Sequence, residues 1–497
     1  MSGKTVYLET MGCQMNVLDS ELVLGQLRAQ GYAPTNDMNA ADVVLINTCS
    51  VRDHAEQKVL SRLGSLKRPK QSNSDMVVGV IGCMAERDPD GIFAKMPHVD
   101  LVCGPGELNK VSALVDAVRD GRHRAVALSQ SKSRKSTPLQ RALEYDSVEA
   151  LDLSRDPPPG QSVLQSYVRV QRGCDKFCTF CVVPFTRGPE RSRPVSQIVS
   201  ETRMLADRGA KEVTLIGQTV NSYVNQENGR PVRFAELLAR VSDVAGIERV
   251  RFVTCFPGDF DDEIFQAIRD IPEVCEYLHI PVQSGSDAVL RRMRRQYTVK
   301  RYVDLIDRGR ELVPGLTVAS DFIVGFCGET EKEHEASLRL IERCRFKNIF
   351  VFKYSERPST VAAKRDDDVP EETKRRRNAE LLARQEAISS AFNRQLAGET
   401  VEVLVEGYSK AAIKAQEAEQ TRGEEVSWRR SDQLVGRTRS DQIVVFAGEP
   451  EHIGHFARVQ ITATTALTLH GNLVHNSPER DPHTDSVGLP LTVRRRG

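Results

Sequence analysis

Three cysteines crowd into eight residues of "QRGCDKFCTFCVVP": Cys174, Cys178 and Cys181. A closed structural zinc site takes four nitrogen or sulfur ligands, yet no histidine or fourth cysteine lies within fifty residues on either side. Three thiolates on one short loop can instead surround a cubane, supplying three of its four irons. The open iron is then left for a small chelating ligand with an amino and a carboxylate group. Tetrahedral zinc, completed by a distant residue, is the competing structural reading.

A second trio is dispersed. Cys13, Cys49 and Cys83 stand 36 and 34 residues apart, each closing an apolar run: "TVYLETMGC", "ADVVLINTCS" and "DMVVGVIGC". In an open parallel sheet all strand C-termini share one edge, and ligands bind there, so three distant thiols can converge. Small buried cysteines also suit strand ends for packing alone. Cys103 ends a fourth run, "VDLVC", so a closed four-cysteine site and an open three-cysteine site both fit the pattern.

The elements that must position these residues follow from the alternation of apolar strands with amphipathic helices. Helical patterns over 17–30, 54–66 and 111–118, between short apolar runs, predict a doubly wound parallel α/β domain over residues 1–125. After "DMVVGVIGC" the pattern gives only a short polar segment. Residues 126–160, rich in Ser, Pro and charge, have linker composition. Over 161–395 six apolar runs, "SYVRVQRGC", "EVTLIGQ", "RVRFVTC", "YLHIPVQSGS", "LTVASDFIVGF" and "NIFVFKYS", separated by helices, predict an open or partial (β/α) barrel. The tight cysteine loop follows its first strand, and loops at strand C-termini carry the chemistry of such barrels. Residues 396–474 switch to short alternating strands, which predicts a small antiparallel β-barrel of OB-like size. The tail, 475–497, is polar and is expected to be disordered.

The 497 residues are long enough for two to four domains, and 40% hydrophobic with 28% charged residues is ordinary for a globular chain. A net charge of +1 excludes a bulk polycation, so any nucleic-acid contact must rest on local charge. Local runs exist at Arg291, Arg292, Arg294 and Arg295, at 374–377, and at Arg429 and Arg430, although such runs are commonly solvated helix faces. The N-terminus "MSGKTVYLETMGC" lacks the basic and apolar regions of a secretory signal, and no apolar run reaches membrane-span length. A cytoplasmic location, no membrane and a monomer are the expectations. Eleven cysteines in such a chain suggest metal binding or catalysis rather than disulfides.

The loop "CDKFCTFC" resembles the CxxxCxΦC signature of the radical S-adenosylmethionine (SAM) superfamily, with Phe180 as the aromatic. Further stretches, "MGCQMNVLDSE", "INTCSVRDHAEQK", "VIGCMAER", "GCDKFCTFCVVPFTRGPERSR", "GQTVNSY", "HIPVQSGSD", "SDFIVGFCGETE" and "QLVGRTRSDQIVVF", are similar to the methylthiotransferases from about residue 5 to 472. That resemblance implies an N-terminal methylthiotransferase domain, a radical SAM barrel and a C-terminal TRAM domain that grips tRNA. It implies two 4Fe-4S clusters, one on Cys174, Cys178 and Cys181 that chelates SAM, and an auxiliary one on Cys13, Cys49 and Cys83 that handles sulfur. Cys103 is not at a ligand position of the family, which favours the three-cysteine reading. Phe180, Arg187, Glu190 and Arg193, the last three in "RGPERSR", are expected to line the SAM and substrate pocket. The implied reaction places a methylthio group on carbon 2 of an isopentenyladenosine beside the anticodon, consumes two SAM, and draws electrons from a flavodoxin or ferredoxin. Arg429, Arg430, Arg437 and Arg439 are expected to clamp the tRNA body.

The sequence departs from the family pattern at Thr219, Cys255 and Cys327, where the family commonly has Asn, Ser and Pro; neutral small residues are the simplest reading there. Sister branches act on threonylcarbamoyladenosine in tRNA or on a ribosomal protein aspartate. The segment "GQTVNSY" favours the isopentenyladenosine branch. A reading from another class, a zinc-bound RNA-binding protein without catalysis, predicts a colourless protein in place of a brown, oxygen-sensitive one.

Overall fold

The computed structural model describes residues 4–49, 53–129, 151–152, 155, 163–422 and 432–475. The chain divides into two compact units, Met1–Ser389 and Ser390–Gly497.

The first unit opens with a six-stranded sheet, in the order β2-β1-β3-β4-β5-β6. Its strands are β1 (Thr5–Met11), β2 (Ala33–Pro34), β3 (Val43–Thr48), β4 (Val77–Gly82), β5 (Leu101–Cys103) and β6 (Ala125–Ala127). Every pairing is parallel. The runs "VVLINT" and "VVGVIG" are buried at every position, as central strands covered on both faces require. Helices α1 (Gln14–Ala29), α2 (Asp53–Ser65), α3 (Cys83–Arg87), α4 (Pro89–Lys95) and α5 (Val111–Arg119) cover the sheet. The sheet reaches Ala127, two residues beyond the expected boundary. The stretch after Cys83, expected to be merely polar, folds into α3 and α4. Cys83 starts α3 directly, and the Asp88 carboxylate caps α4 by accepting from the Gly91 N–H at 3.1 Å.

Six further strands form the partial barrel: β7 (Gln165–Arg169), β8 (Glu212–Ile216), β9 (Arg249–Phe252), β10 (Tyr277–His279), β11 (Thr317–Val324) and β12 (Asn348–Lys353). They lie in two parallel sheets of three, linked by a parallel bridge between Val250 and Val274. All six expected strands are present. β12 is the free edge of its sheet, and Asn378 Nδ2 donates to its Val351 carbonyl at 3.0 Å.

The sheet and the partial barrel belong to one unit because charge is buried between them. Asp19 of α1 and Asp152 face Arg169 of β7, and Arg193 joins Asp152 to Glu201, with every one of these side chains fully buried. Arg155 adds ion pairs to Glu21 and Glu201. Breaking such a pair strands a buried charge and costs about 3–5 kcal/mol. Much of the expected linker, residues 130–150, 153–154 and 156–160, lies outside the described residues.

The second unit holds a closed five-stranded barrel of β13 (Thr400–Tyr408), β14 (Gln433–Arg437), β15 (Ile443–Ala447), β16 (Phe456–Thr464) and β17 (Thr468–His475). The β15–β17 pairing that completes it is parallel, the others antiparallel. The helix Lys410–Arg422 follows β13 and went unexpected in the sequence. The 476–497 tail lies outside the described residues. Among the described residues no helix is long and apolar enough to cross a membrane.

Candidate iron-sulfur and SAM site

Cys13, Cys49 and Cys83 stand at the C-terminal ends of β1, β3 and β4, three adjacent strands of the first sheet. The backbone approach is close: a Cβ added at Gly12 would lie 2.9 Å from the Cβ of Cys49, so only glycine lets the two strand ends meet. Two buried asparagines lock them. Asn16 Nδ2 donates to Asn47 Oδ1 at 2.8 Å and to the Thr48 carbonyl at 2.9 Å, and Asn47 Nδ2 returns a bond to the Asn16 carbonyl. The Cys13 thiol in turn donates to Asn16 Oδ1 at 3.2 Å. Contact with Cys49 lowers the Cys13 thiol to about 6, which burial opposes and the Arg187 charge assists. Burial raises Cys83, and the same guanidinium works against that rise. Cys103, on the next strand, is apart: its thiol donates to the Glu107 carbonyl at 3.2 Å. Burial, with the carboxylates of Glu107 and Glu86, pushes it well above the usual thiol range.

Cys174, Cys178 and Cys181 occupy the loop after β7, each half-buried with a free thiol. Gly173 begins the loop at φ 68°, and a Cβ there would stand 2.0 Å from the Pro189 carbonyl oxygen. Gly173→Ala therefore carries about 1–2 kcal/mol for the left-handed backbone, plus a clash that the loop must move to relieve. The expected result is a thermal midpoint several degrees lower and reduced iron retention, read by calorimetry and iron assay. The Cys174 N–H donates to the Gly188 carbonyl at 3.2 Å, and the Thr179 N–H to that of Met293 at 3.0 Å. Arg295 Nη1 donates to Cys178 Sγ at 3.3 Å, while its guanidinium lies 4.9 Å from the Phe256 ring centre. Burial raises Cys174 to about 11 and Cys181 to about 12, so these thiols keep their protons until a bound metal displaces them.

The donor sets fit iron-sulfur clusters. Among the described residues, the one trio of His, Cys, Asp or Glu ligand atoms mutually within 4.8 Å is Glu331, His334 and Glu380, whose carboxylates are engaged by Arg376 and Arg377. Neither cysteine trio closes to that spacing, as thiolates about 2.3 Å from one zinc ion would.

A cleft of about 950 Å³ opens beside the second loop, lined by Phe180, Cys181, Gln283, Asp321, Phe350 and Lys374 among others. That volume suits a small organic ligand. Phe180 packs edge-on against Phe326 at 6.5 Å and lines the cleft, as expected for the aromatic of the loop. The Thr254 N–H donates to His279 Nδ1 at 3.3 Å, which puts the proton on Nε2, facing Asp321 Oδ1 at 2.9 Å.

The other expected pocket residues separate. Glu190 accepts from Thr219 Oγ1 at 3.0 Å beside a second, smaller cleft that Lys176 and Asp259 also line. Arg193 is fully buried, bonded to the Arg169 carbonyl at 2.5 Å and Glu201 at 2.7 Å, and serves the ion-pair network instead of the cleft. Arg187 bonds Asp19 Oδ2 at 2.8 Å and faces the other cysteine trio, Cys83 and Cys13. The short segment that holds all three residues is spread over three environments because its side chains diverge from a backbone that pairs with Gln171 and Arg172.

Three family models match the chain: the uncharacterized protein family UPF0004 over residues 5–104, the radical SAM superfamily over 168–341 and the TRAM domain over 424–474. A tRNA-2-methylthio-N(6)-dimethylallyladenosine synthase of Rhodopirellula baltica is 47% identical over 495 residues, covering 98% of each chain. One of Porphyromonas gingivalis is 40% identical over 95% of each. The chain belongs to the tRNA-2-methylthio-N(6)-dimethylallyladenosine synthase family. Among solved structures, the radical S-adenosylmethionine methyltransferase TsrM of Kitasatospora setae superposes with a TM-score of 0.51 at 14% identity, over 72% of this chain and 77% of that one; the likeness is one of fold.

Several residues of this synthase family member escaped the sequence reading. Asn16 and Asn47 sit inside the motifs "MGCQMNVLDSE" and "INTCS", but a polar residue beside a cysteine carries no sign of which strand it will meet. Arg295 lay in a basic run read as solvated; the structure splits that run, with Arg292 bidentate on Glu333 and Arg295 on Cys178. The run at 374–377 is likewise neutralised, Lys374 by Asp367, Arg376 by Glu331 and Arg377 by Glu329. In the small barrel, Arg437 pairs with Glu406 and Asp441, and Arg429 and Arg430 lie outside the described residues. Cys255 and Cys327 are buried thiols at barrel-strand ends, as neutral packing residues would be.

Proposed function

We propose that this chain converts N(6)-dimethylallyladenosine at position 37 of tRNA, beside the anticodon, to its 2-methylthio derivative. It is a radical SAM enzyme, and iron-sulfur and SAM chemistry follow from its family. The finer reading is two 4Fe-4S clusters, one on each cysteine trio, and two SAM per turnover. The observation that supports it is the pair of trios in one compact unit, each at the C-terminal edge of a parallel sheet.

The C–H at carbon 2 of adenine is too weakly acidic for side-chain acid-base or nucleophilic chemistry. When bound, the cofactors supply the one-electron route that no side chain offers. The protein's own part is placement. Hydrogen bonds from the Cys174 and Thr179 N–H groups to the Gly188 and Met293 carbonyls fix the barrel loop, the asparagine pair fixes the sheet cysteines, and the cleft beside Phe180 offers room for a small organic group. A base can reach that cleft only when extruded from the anticodon loop. The TRAM barrel supplies the grip on tRNA.

The remaining parts of the reading are residues 1–125 and 161–395 as methylthiotransferase and radical SAM domains joined by 126–160, a TRAM domain over 396–474, a flavodoxin or ferredoxin as reductant, a monomer and a cytoplasmic location. Nucleoside mass spectrometry on tRNA from a host lacking its own methylthiotransferase, with and without this gene, tests the function. Appearance of 2-methylthio-N(6)-dimethylallyladenosine is expected. Unchanged tRNA from cells holding iron-loaded protein that cleaves SAM would move the substrate elsewhere.

A further inference from the structure

Arg187 stands six residues after Cys181, at the end of the short helix Val183–Thr186, yet its side chain leaves the barrel loop for the sheet. Its backbone neighbour Gly188 accepts the Cys174 N–H. Its guanidinium bonds Asp19 in α1, the helix that Cys13 starts. The side chain is only 2% exposed, and Nη1 is buried without a hydrogen-bond partner. Beyond Asp19, the groups its charge faces are the thiols of Cys83 and Cys13. A buried guanidinium N–H with no acceptor costs about 1–3 kcal/mol or more, so this one has an acceptor to find when the site is filled.

We propose that Arg187 is a positioning residue joining the two cysteine sites, its free Nη1–H donating to sulfur of the group held by Cys13, Cys49 and Cys83. The inference rests on the two-cluster reading. One residue thereby ties the backbone that carries Cys174 to the charge environment of the sheet trio, so that the two sites keep a set separation and orientation. A buried cation with a hydrogen bond to cluster sulfur also stabilises the reduced, more anionic state, because hydrogen bonds and net charge set cluster potentials.

The test uses the full-length chain with Cys174, Cys178 and Cys181 replaced by alanine, so that only the sheet trio can hold iron. In that background Arg187→Gln is expected to keep its iron and sulfide while the midpoint potential, followed by electron paramagnetic resonance, moves to a more negative value. Arg187→Lys, which keeps the charge and the Asp19 pair but loses the fork, is expected to fall between. In the otherwise intact enzyme Arg187→Gln should raise SAM cleaved per methylthio product by about tenfold, within the 10- to 100-fold range for partners of metal ligands. Since Arg187→Gln leaves buried Asp19 with only its longer pair to Arg169 at 3.9 Å, the double variant Arg187→Gln with Asp19→Asn keeps the test open should the single one misfold. An iron-loaded variant with unchanged potential and unchanged coupling overturns the proposal. A parent triple variant without iron overturns the two-cluster reading itself, and the inference with it.

Discussion

Replacing Cys174 by alanine is expected to abolish both SAM cleavage and methylthiolation while the protein still folds and keeps about half of the roughly eight irons that the proposed two clusters would hold. The expected loss exceeds the 10- to 100-fold cost of removing a hydrogen-bonding partner of a ligand, because a ligand itself is gone and the loop has no substitute. Among the described residues near the loop, Cys255 is a fully buried thiol raised well above its usual range by burial alone, and burial also raises Cys327. Neither lies on the 174–181 loop that carries the other two thiols. The fold tolerates the change because Cys174 is half-buried on a loop that backbone bonds to Gly188, Met293 and Ala362 hold in place. Anaerobic iron and sulfide counting, chromatography of the nucleoside released from SAM, and mass spectrometry of tRNA read the three quantities together. Intact SAM cleavage in the variant would sink the assignment of this loop.

The second large effect separates Cys83 from Cys103, neighbours in the sheet with opposite surroundings. Cys83→Ala is expected to abolish methylthiolation and to lose about half of the iron, yet to go on cleaving SAM, since the barrel loop is untouched. Cys103→Ala should leave iron content and product unchanged and cost only about 1 kcal/mol for the lost bond to the Glu107 carbonyl. The contrast follows from charge. Cys83 lies beside the Arg187 guanidinium, which favours a thiolate against the burial that opposes it, whereas Cys103 faces the carboxylates of Glu86 and Glu107, which add to its burial. Should Cys103→Ala empty the site while Cys83→Ala spares it, the choice of three cysteines would be wrong.

The chemistry was legible along the chain because its signals are local. "CDKFCTFC" places three thiols within reach of one another whatever the tertiary fold, and β-branched runs such as "DVVLINT" and "MVVGVIG" become buried parallel strands wherever they lie. The dispersed trio could be read for the same reason at one remove: parallel strands share a C-terminal edge, so "each cysteine ends a strand" already implies convergence. The alternation of strand and helix gave all six barrel strands, and the turn-rich C-terminal stretch gave a small β-barrel. The helices after Cys83 were missed because their length is close to one turn or two, too short for apolar periodicity to register.

Side-chain destinations are another matter. "RGPERSR" reads as one basic segment destined for one pocket, but Arg187 goes to the sheet cysteines, Glu190 to Thr219 and Arg193 to a buried network with Glu201 and Asp152. The four arginines between 291 and 295 look alike in sequence, and only packing against Phe256 and Cys178 sets Arg295 apart. Which cation pairs with which acid depends on contacts between residues more than a hundred positions apart, as with Asp19 and Arg187, and on the burial that makes those contacts strong. Residue type and spacing thus determined most of the elements and the thiols that could hold metal, while the family resemblance set Cys103 aside. Tertiary structure alone decided the partners of the buried charges, because an ion pair's strength and geometry come from the low-dielectric space around it, and no single stretch of sequence contains that space.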